Sequence, residues 1–414
     1  MVDKLANANT QTLKEVNKSL VLSTIHNYGP ISRAEIAKIS NLSVATVANL
    51  VTEFLKEKIV VEKGFQKSRG GRRSGILEIN SDNSFLIGVE LGETEITTFL
   101  ANSKLEEKAF KKMSLDESEN KPENIISAII ASIRSVISEF DVLPEKVLGI
   151  GIGAPGLVDR GRGISIFAPN WGWHDIHMKE KIEQTLGIPT YVDNGAKVMA
   201  LGEKWAGAAQ GTNNVIALII GTGLGAGIIV NGKMCRGASE SAGEWGHMVI
   251  NINGPKCSCG NRGCLEAYAG VSAIAKRTKE IILTTKDDSI LKPFKNMQAG
   301  KIVHKVIKAA RENDPIAIQI LKETGQYLGI GIANLVNLFN PEVVIIGGWV
   351  GVEAGEILLP IIRSTIQEHA LEFPFGFTKI VISQLADKAI VLGAAAMVLR
   401  KFLQPPKFRS IISV

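Results

Sequence analysis

The chain has 414 residues, of which 45% are hydrophobic and 21% charged, and its formal net charge is +6. This composition excludes a disordered chain, and four cysteines are too few for a disulfide-stapled scaffold. No run of about 18 uncharged apolar residues occurs, so we expect no membrane-spanning helix. Because the polar N-terminus lacks the apolar core of a signal peptide, we expect a cytoplasmic protein with reduced thiols.

The positive charge is concentrated at one end of the chain. Residues 1–80, called the N-terminal module below, hold 12 Lys and Arg against 7 Asp and Glu, whereas the other 334 residues hold 35 against 34. A basic module on a near-neutral body favours a polyanionic partner such as nucleic acid. The alternative is a solvated, lysine-rich surface.

Three helices are predicted in the N-terminal module. Ser32 and Glu35 form a capping box at the start of a short second helix, and Ser43 caps a third helix that runs to about Lys56. The positions expected to be buried are Leu13, Val16, Leu20, Leu22 and Ile25 in the first helix, Ala34, Ile36, Ala37 and Ile39 in the second, and Val44, Val47, Leu50, Val51 and Leu55 in the third.

The other face of the third helix is small and polar, and such a face can enter the DNA major groove. The residues predicted to meet DNA there are Ser43, Ala45, Thr46 and Asn49. Two strand-like runs, Ile59–Glu62 and Ile76–Ile79, follow and enclose a glycine-rich hairpin that suits phosphate or minor-groove contact. Its cations are Lys67, Arg69, Arg72 and Arg73. The pattern predicts a winged helix-turn-helix that binds DNA, and the alternative is a plain three-helix packing module.

The rest of the chain alternates strand and helix patterns, which is typical of an α/β fold. Four apolar runs each end in a glycine turn, and ligands collect where parallel strands end in such turns. The four runs are Phe85–Leu91, Val147–Ile152, Val215–Ile220 and Val343–Ile346.

One His and three Cys fall within 18 residues, at His247, Cys257, Cys259 and Cys264. This donor set matches a tetrahedral structural Zn²⁺ site, and in a reducing compartment metal binding is favoured over a disulfide. We therefore predict one zinc ion per chain, with unligated buried thiols as the alternative. Cys235 lies outside the cluster and is interpreted as an inert core residue.

The order of these parts resembles the ROK family of repressors, open reading frames and sugar kinases. The zinc motif carries the resemblance, together with Asn337–Glu342 followed by Val343–Gly348. It covers the N-terminal module and the body from about residue 85 to 400. The resemblance implies an α/β body of two lobes around a cleft, of the actin-like ATPase type, and the nearest subgroup by architecture is the xylose-repressor-like regulators.

On this resemblance the chain divides into three parts. We expect a winged helix-turn-helix at 1–80, a first lobe at 81–196 completed by about 385–414, and a second lobe with the zinc motif at 197–384. The sugar-binding positions implied by the family are Gly156, Asn170, Asn194, Glu244, His247 and Glu266. His247 would hold zinc through one ring nitrogen and present the other to a sugar hydroxyl. Trp171 and Trp173 would stack on the sugar or pack beneath the loop.

The nucleotide side departs from the pattern of the family's kinases. Their catalytic Asp follows Asn, but Gly195 follows Asn194 here. Their first loop reads Asp-x-Gly-Gly-Thr-Lys, whereas this chain has Glu90-Leu91-Gly92-Glu93-Thr94-Glu95, and Trp349 replaces a third glycine in the last loop. The loop Gly221-Thr222-Gly223 is intact and is interpreted as vestigial. Losing the general base alone costs about 10²–10⁴ in rate.

The sequence therefore predicts a sugar-responsive repressor of carbohydrate genes without catalytic activity. We expect a homodimer or homotetramer, without membrane association, on a palindromic operator, released or recruited by a small sugar that the sequence does not identify. Two alternatives stay open at this point. One is an active ATP-dependent sugar kinase with an accessory DNA domain, and the other is a DNA-binding module whose pocket is vestigial.

Overall fold

The computed structural model describes residues 10–65, 75–115, 121–168, 171–285, 289–294 and 296–404. Within these ranges, every helix is too short or too polar to cross a membrane. Three bodies of secondary structure follow one another along the chain, and each has its own sheet.

The N-terminal module is a three-helix unit closed by a small antiparallel sheet, which confirms the predicted winged helix-turn-helix. Its helices are α1 (Thr10–Tyr28), α2 (Arg33–Ser40) and α3 (Val44–Lys56), and its strands are β1 (Ile31–Ser32), β2 (Val60–Phe65) and β3 (Gly75–Ile79), in the order β1-β3-β2. The capping box is present: the amide of Glu35 donates to Ser32 Oγ (3.3 Å), and the amide of Ser32 donates to Glu35 Oε2 (3.0 Å). Both strands of the wing start near the predicted positions.

Several helix positions expected in this core face solvent instead. The exposed ones are Leu13, Leu20, Ala34, Ile39 and Val44, and the last is 61% exposed. Each of the three helices buries only a narrow stripe of side chains, such as Val21 with Ile25 in α1. Apolar residues beside that stripe therefore remain exposed to solvent. Phe54 of α3, which the pattern missed, fills the core together with Val47 and Val51.

The first lobe is built on a five-stranded sheet in the order β11-β7-β4-β5-β6, with β4, β7 and β11 parallel. Its strands are β4 (Phe85–Leu91), β5 (Glu95–Asn102), β6 (Glu107–Ser114), β7 (Val147–Ala154) and β11 (Thr190–Asn194). A small sheet of β8 (Leu157–Asp159), β9 (Ile164–Ala168) and β10 (Trp173–Ile176) adjoins it, with helices α4 (Pro122–Glu139) and α5 (Met178–Leu186). Trp171 and Trp173 are buried in the core of this lobe, with ring centroids 4.9 Å apart.

Helix α6 (Gly195–Ala206) leads into the second lobe, whose sheet has the order β14-β13-β12-β15-β16. The strands are β12 (Val215–Ile220), β13 (Leu224–Val230), β14 (Lys233–Met234), β15 (Val343–Gly347) and β16 (Lys379–Ile382). The helices are α7 (Glu266–Ala269), α8 (Val271–Thr284), α9 (Ala299–Arg311), α10 (Pro315–Phe339), α11 (Gly348–Glu353), α12 (Gly355–His369) and α13 (Glu372–Gly376).

The last helix, α14 (Ala389–Leu403), returns to the first lobe and packs on its sheet and on α6. The crossing of α14 and α6 is close, because a Cβ at Gly393 would clash with the carbonyl oxygen of Val198. The N-terminal module contacts the ends of both helices: Ser19 Oγ donates to the carbonyl of Leu403, and the rings of His26 and Trp205 lie 5.6 Å apart. The N-terminal module is therefore seated on the two central helices of the body.

Candidate effector pocket and metal centre

The predicted metal ligands come together in space. The ligand atoms of His247, Cys257, Cys259 and Cys264 all lie within 4.8 Å of one another. A short helical turn ends at His247, and a bridge between Val249 and Cys264 brings the last cysteine back to it. The chain thus brings three thiol sulfurs and one imidazole nitrogen close to one point, as a cation with tetrahedral coordination requires.

The electrostatics of this cluster fit a bound cation. Burial and the neighbouring thiols raise the pKa of Cys264 to about 12, so this thiol resists ionisation without a cation beside it. A bound Zn²⁺ would reverse this, because a thiol that coordinates zinc is deprotonated. The Nδ1 atom of His247 faces Cys257 Sγ at 3.7 Å, which leaves Nε2 on the other side of the ring.

Glu266 ties the metal loop to the glycine turn after β12. Its Oε1 accepts from Ser258 Oγ (3.2 Å), and its Oε2 accepts from the amide of Leu224 (2.9 Å). Ser258 lies between two of the cysteines, and Leu224 directly follows the loop that contains Gly221 and Gly223. The metal loop therefore fixes the start of β13.

Asn194 and Gly156 meet at the other side of the cleft, in the first lobe. Asn194 caps α6: its Oδ1 accepts from the amides of Ala196 (3.0 Å) and Lys197 (3.3 Å), while its Nδ2 donates to the carbonyl of Gly156 (2.9 Å). Gly156 has φ +73°, and a side chain there would clash with Phe167. Asn170 lies outside the described residues.

The carboxyl of Glu244 interacts electrostatically with Lys197 of α6 and with His247 and Glu266 of the metal loop. Burial raises the pKa of its carboxyl, with Glu266 adding to the rise and Lys197 and His247 opposing it. Lys197 is 2% exposed, and burial lowers its pKa against the attraction of Asp193 and Glu244. A buried ammonium therefore lies among carboxylates from both lobes.

Asp193 precedes Asn194, but its carboxylate is turned away to an arginine of the second lobe. Its Oδ2 lies 2.6 Å from the guanidinium of Arg236 and its Oδ1 3.2 Å, a two-pronged ion pair. Gly195, which follows Asn194, is the first residue of α6. A Cβ at Gly195 would lie 3.7 Å from the backbone oxygen of Ala154 and 3.8 Å from the side chain of Ile219. Ordinary contact distances mean that packing does not require glycine at this position.

On the nucleotide side, Trp349 covers the glycine loop. A Cβ at Gly221 would lie 3.4 Å from the Trp349 ring. The ring stacks on that of His304, with centroids 4.2 Å apart, and His304 Nδ1 pairs with Glu353 Oε2 at 2.7 Å. The indole thus lies against the glycine loop that follows β12.

The first glycine turn of the body carries negative charge. Burial raises the pKa of Glu90 to about 7, and the charges of Glu95 and Asp387 add to this rise. Glu95 and Asp387 each lie 2.9 Å from the ammonium of Lys112.

The predicted DNA face of α3 is open. Ser43, Ala45 and Asn49 are exposed, and Thr46 is half-buried with its hydroxyl 2.9 Å from that of Ser43. Val44 adds an apolar side chain to the same end of α3, which the periodicity had placed inside. The wing cations Lys67, Arg69, Arg72 and Arg73 lie outside the described residues.

No sequence pattern indicated that Arg236 and Lys197 would lie next to the predicted sugar-binding residues. Arg236 pairs with a residue 43 positions earlier, and no local spacing encodes such a contact. Lys197 is visible only in hindsight, as the residue one helical turn after Asn194.

Comparison with known proteins agrees with this architecture. A model of the ROK family matches residues 86–401. The xylose repressor of Caldicellulosiruptor bescii is 38% identical over 404 residues, which cover 97% of this chain and 99% of the repressor. The crystal structure of a ROK family transcriptional regulator, a homolog of the E. coli MLC protein, has a TM-score of 0.82 at 28% identity and covers 97% of this chain and 100% of its own.

A ROK family glucokinase from Streptomyces griseus, solved with glucose and AMPPNP, has a TM-score of 0.67 at 33% identity. It covers 76% of this chain and 99% of its own. The chain therefore belongs to the ROK family and joins a winged helix-turn-helix to a two-lobed body of the actin-like ATPase fold.

Proposed function

We propose that this protein is a sugar-responsive repressor of carbohydrate genes whose kinase-like body binds a sugar without phosphorylating it. One observation carries the proposal: a winged helix-turn-helix is joined to a cleft that has Gly195 beside Asn194 and an indole against its glycine loop. Similarity over nearly the whole chain to a xylose repressor supports it.

The effector lies between the lobes in this proposal. Six positions form its site: Gly156, Asn170, Asn194, Glu244, His247 and Glu266. Carboxylates and amides suit adjacent hydroxyl pairs, and a site built of such groups discriminates strongly against analogues that lack a hydroxyl. The Nε2 atom of His247 faces away from Cys257 and is the ring nitrogen left for a hydroxyl.

The metal is proposed to be one structural Zn²⁺ per chain, held by His247, Cys257, Cys259 and Cys264. Zinc supplies a fixed tetrahedral centre that keeps three thiolates and one imidazole in place. Glu266 connects this loop to the start of β13, because its carboxylate accepts hydrogen bonds from Ser258 Oγ and from the amide of Leu224.

The N-terminal module is proposed to read DNA through Ser43, Ala45, Thr46 and Asn49, with Lys67, Arg69, Arg72 and Arg73 on the wing. A palindromic operator requires two copies, so we propose a homodimer or homotetramer. We further propose domain limits at 1–80, 81–196 with 385–414, and 197–384, since α14 packs on the first-lobe sheet.

A titration tests the function. An operator is first selected from random DNA with the full chain, and its affinity is then measured with D-xylose, D-glucose and N-acetylglucosamine. We expect one sugar to change operator affinity by about 5–150-fold, and by linkage the operator must change the affinity for that sugar by the same factor. If all three sugars leave operator affinity unchanged, the repressor proposal loses its mechanism.

An ADP-release assay with the same sugars separates the rival function. The proposal expects no turnover, because the general base is missing and Trp349 covers Gly221. Turnover of about one per second or more would identify an active sugar kinase.

A further inference from the structure

A largely buried ion network crosses from the first lobe to the second next to Asn194 of the proposed sugar site. Asp193 lies on β11 of the first lobe and its side chain is 2% exposed. Arg236 follows β14 of the second lobe and grips Asp193 with both terminal nitrogens, at 2.6 and 3.2 Å. Charge-assisted forks of this kind fix both distance and orientation.

The network has a second layer. Arg236 also donates to Glu240 Oε2 at 2.8 Å, and Arg160 of the first lobe lies 3.5 Å from the same oxygen. Glu240 adopts φ +61°, so the loop holds a left-handed backbone conformation that residues other than glycine rarely adopt. Two carboxylates and two guanidiniums, one of each from each lobe, meet at this crossing, and the buried ammonium of Lys197 is also attracted to Asp193 and Glu240.

Both ends of the network continue directly into the sugar site. Asp193 Oδ1 accepts from the amide of Asn194 (2.9 Å), the residue that holds Gly156. On the other side, the loop that starts at Arg236 runs to Gly243, and Glu244 follows. The Gly243 carbonyl accepts from the amide of Ala226 (2.9 Å), which anchors this loop to β13.

We infer that Arg236, through its ion pair with Asp193, is a positioning residue that holds the two halves of the sugar site at binding distance. The inference rests on the proposed sugar-binding function. Asn194 and Gly156 belong to one lobe and Glu244 to the other, so sugar affinity depends on how often the lobes are together. An apparent dissociation constant rises as the fraction of the binding-competent arrangement falls.

The test compares three variants by calorimetric titration with whichever of D-xylose, D-glucose and N-acetylglucosamine the wild type binds. Arg236→Gln removes the fork, Arg236→Lys keeps the charge without the fork, and the double variant Asp193→Asn with Arg236→Gln removes both charges of the fork together. We expect the dissociation constant to rise about tenfold or more in the Gln variant and in the double variant, and less in the Lys variant.

The double variant separates positioning from folding. Removing one partner of a buried pair destabilises through the charge left behind, whereas a neutral pair of similar shape regains stability. We therefore expect the double variant to recover most of the melting temperature lost in Arg236→Gln and to keep the wild-type metal content, while its sugar affinity stays weak. Arg162→Gln is the matched control, because Arg162 pairs with Asp159 at 2.6 Å on the surface of the first lobe and should leave sugar affinity unchanged.

Sugar affinity within twofold of wild type in both Gln-containing variants would overturn the inference. So would a double variant that regains wild-type affinity, because the single-variant loss would then come from an unpaired charge. If the wild type itself binds none of the three sugars, the proposed function fails, and the inference fails with it.

Discussion

At the scale of single residues, Cys259 and Cys235 offer a matched pair. Cys259 belongs to the His/Cys cluster, whereas Cys235 is half-buried and packs against the second-lobe core. We expect Cys259→Ser to lower metal content from about one ion per chain towards zero, because three donors hold zinc far less firmly than four. Elemental analysis of the purified chain measures this directly.

The same variant should lose its response to sugar, since the metal loop positions Glu266 and His247. Operator binding without sugar should survive, because the N-terminal module has its own core. Cys235→Ser should keep both metal and sugar response. Full sugar affinity in metal-free Cys259→Ser would contradict the role proposed for the metal.

Residue-scale features were predictable where they depend on near neighbours. The Ser32–Glu35 capping box spans four positions, and the four predicted metal ligands span 18, so spacing alone identified them. The ion pair of Asp193 and Arg236 bridges 43 positions and two lobes. Such a contact is decided by how the sheets pack, which no local pattern encodes.

At the scale of elements, the close crossing of α6 and α14 makes a specific prediction. A methyl group at Gly393 would clash with the carbonyl oxygen of Val198. Because this oxygen belongs to the backbone of α6, it cannot move aside as a flexible side chain could. We expect Gly393→Ala to lower the free energy of unfolding by about 1–3 kcal/mol or more, as overpacked cores do. Chemical denaturation measures the change.

Gly300 is the control for this substitution. It also lies within a helix, α9, but nothing stands within 4 Å of its Cβ position. Gly300→Ala should therefore stabilise the protein by about 0.4–1 kcal/mol through helix propensity and a less free unfolded chain. Equal effects of the two substitutions would mean that the helix crossing is looser than described.

Element types and limits were largely predictable, but the buried faces of short helices were not. Strand β4 matches the predicted Phe85–Leu91, and α3 matches the helix predicted after Ser43. Val44 was placed inside because an apolar residue at helical spacing usually is, yet it begins α3, where the chain has just left the core. At helix ends the periodicity has too few turns to fix a face.

At the scale of the whole molecule, the N-terminal module and the body meet at defined contacts. Glu78 of β3 lies 3.5 Å from Lys104 in the turn between β5 and β6, and α1 rests on the ends of α6 and α14. Helix α6 is capped by Asn194 at one end and ends next to the contact between Trp205 and His26 at the other. A change in the cleft therefore has a short, packed route to the module.

The charge of the whole molecule leads to a prediction about DNA. Nearly all of its net positive charge lies in the first 80 residues, and Arg72 and Arg73 belong to the hairpin that the sequence predicts there. If both contact phosphates, Arg72→Ala with Arg73→Ala should weaken binding to all DNA sequences alike and flatten the slope of log affinity against log salt by up to about 1.8. Anisotropy titrations at several salt concentrations, on selected and random duplexes, measure both effects.

Arg162→Ala with Lys276→Ala removes two exposed charges from the body and should leave the slope unchanged. A changed sequence preference with an unchanged salt slope would instead mean that the hairpin touches base edges.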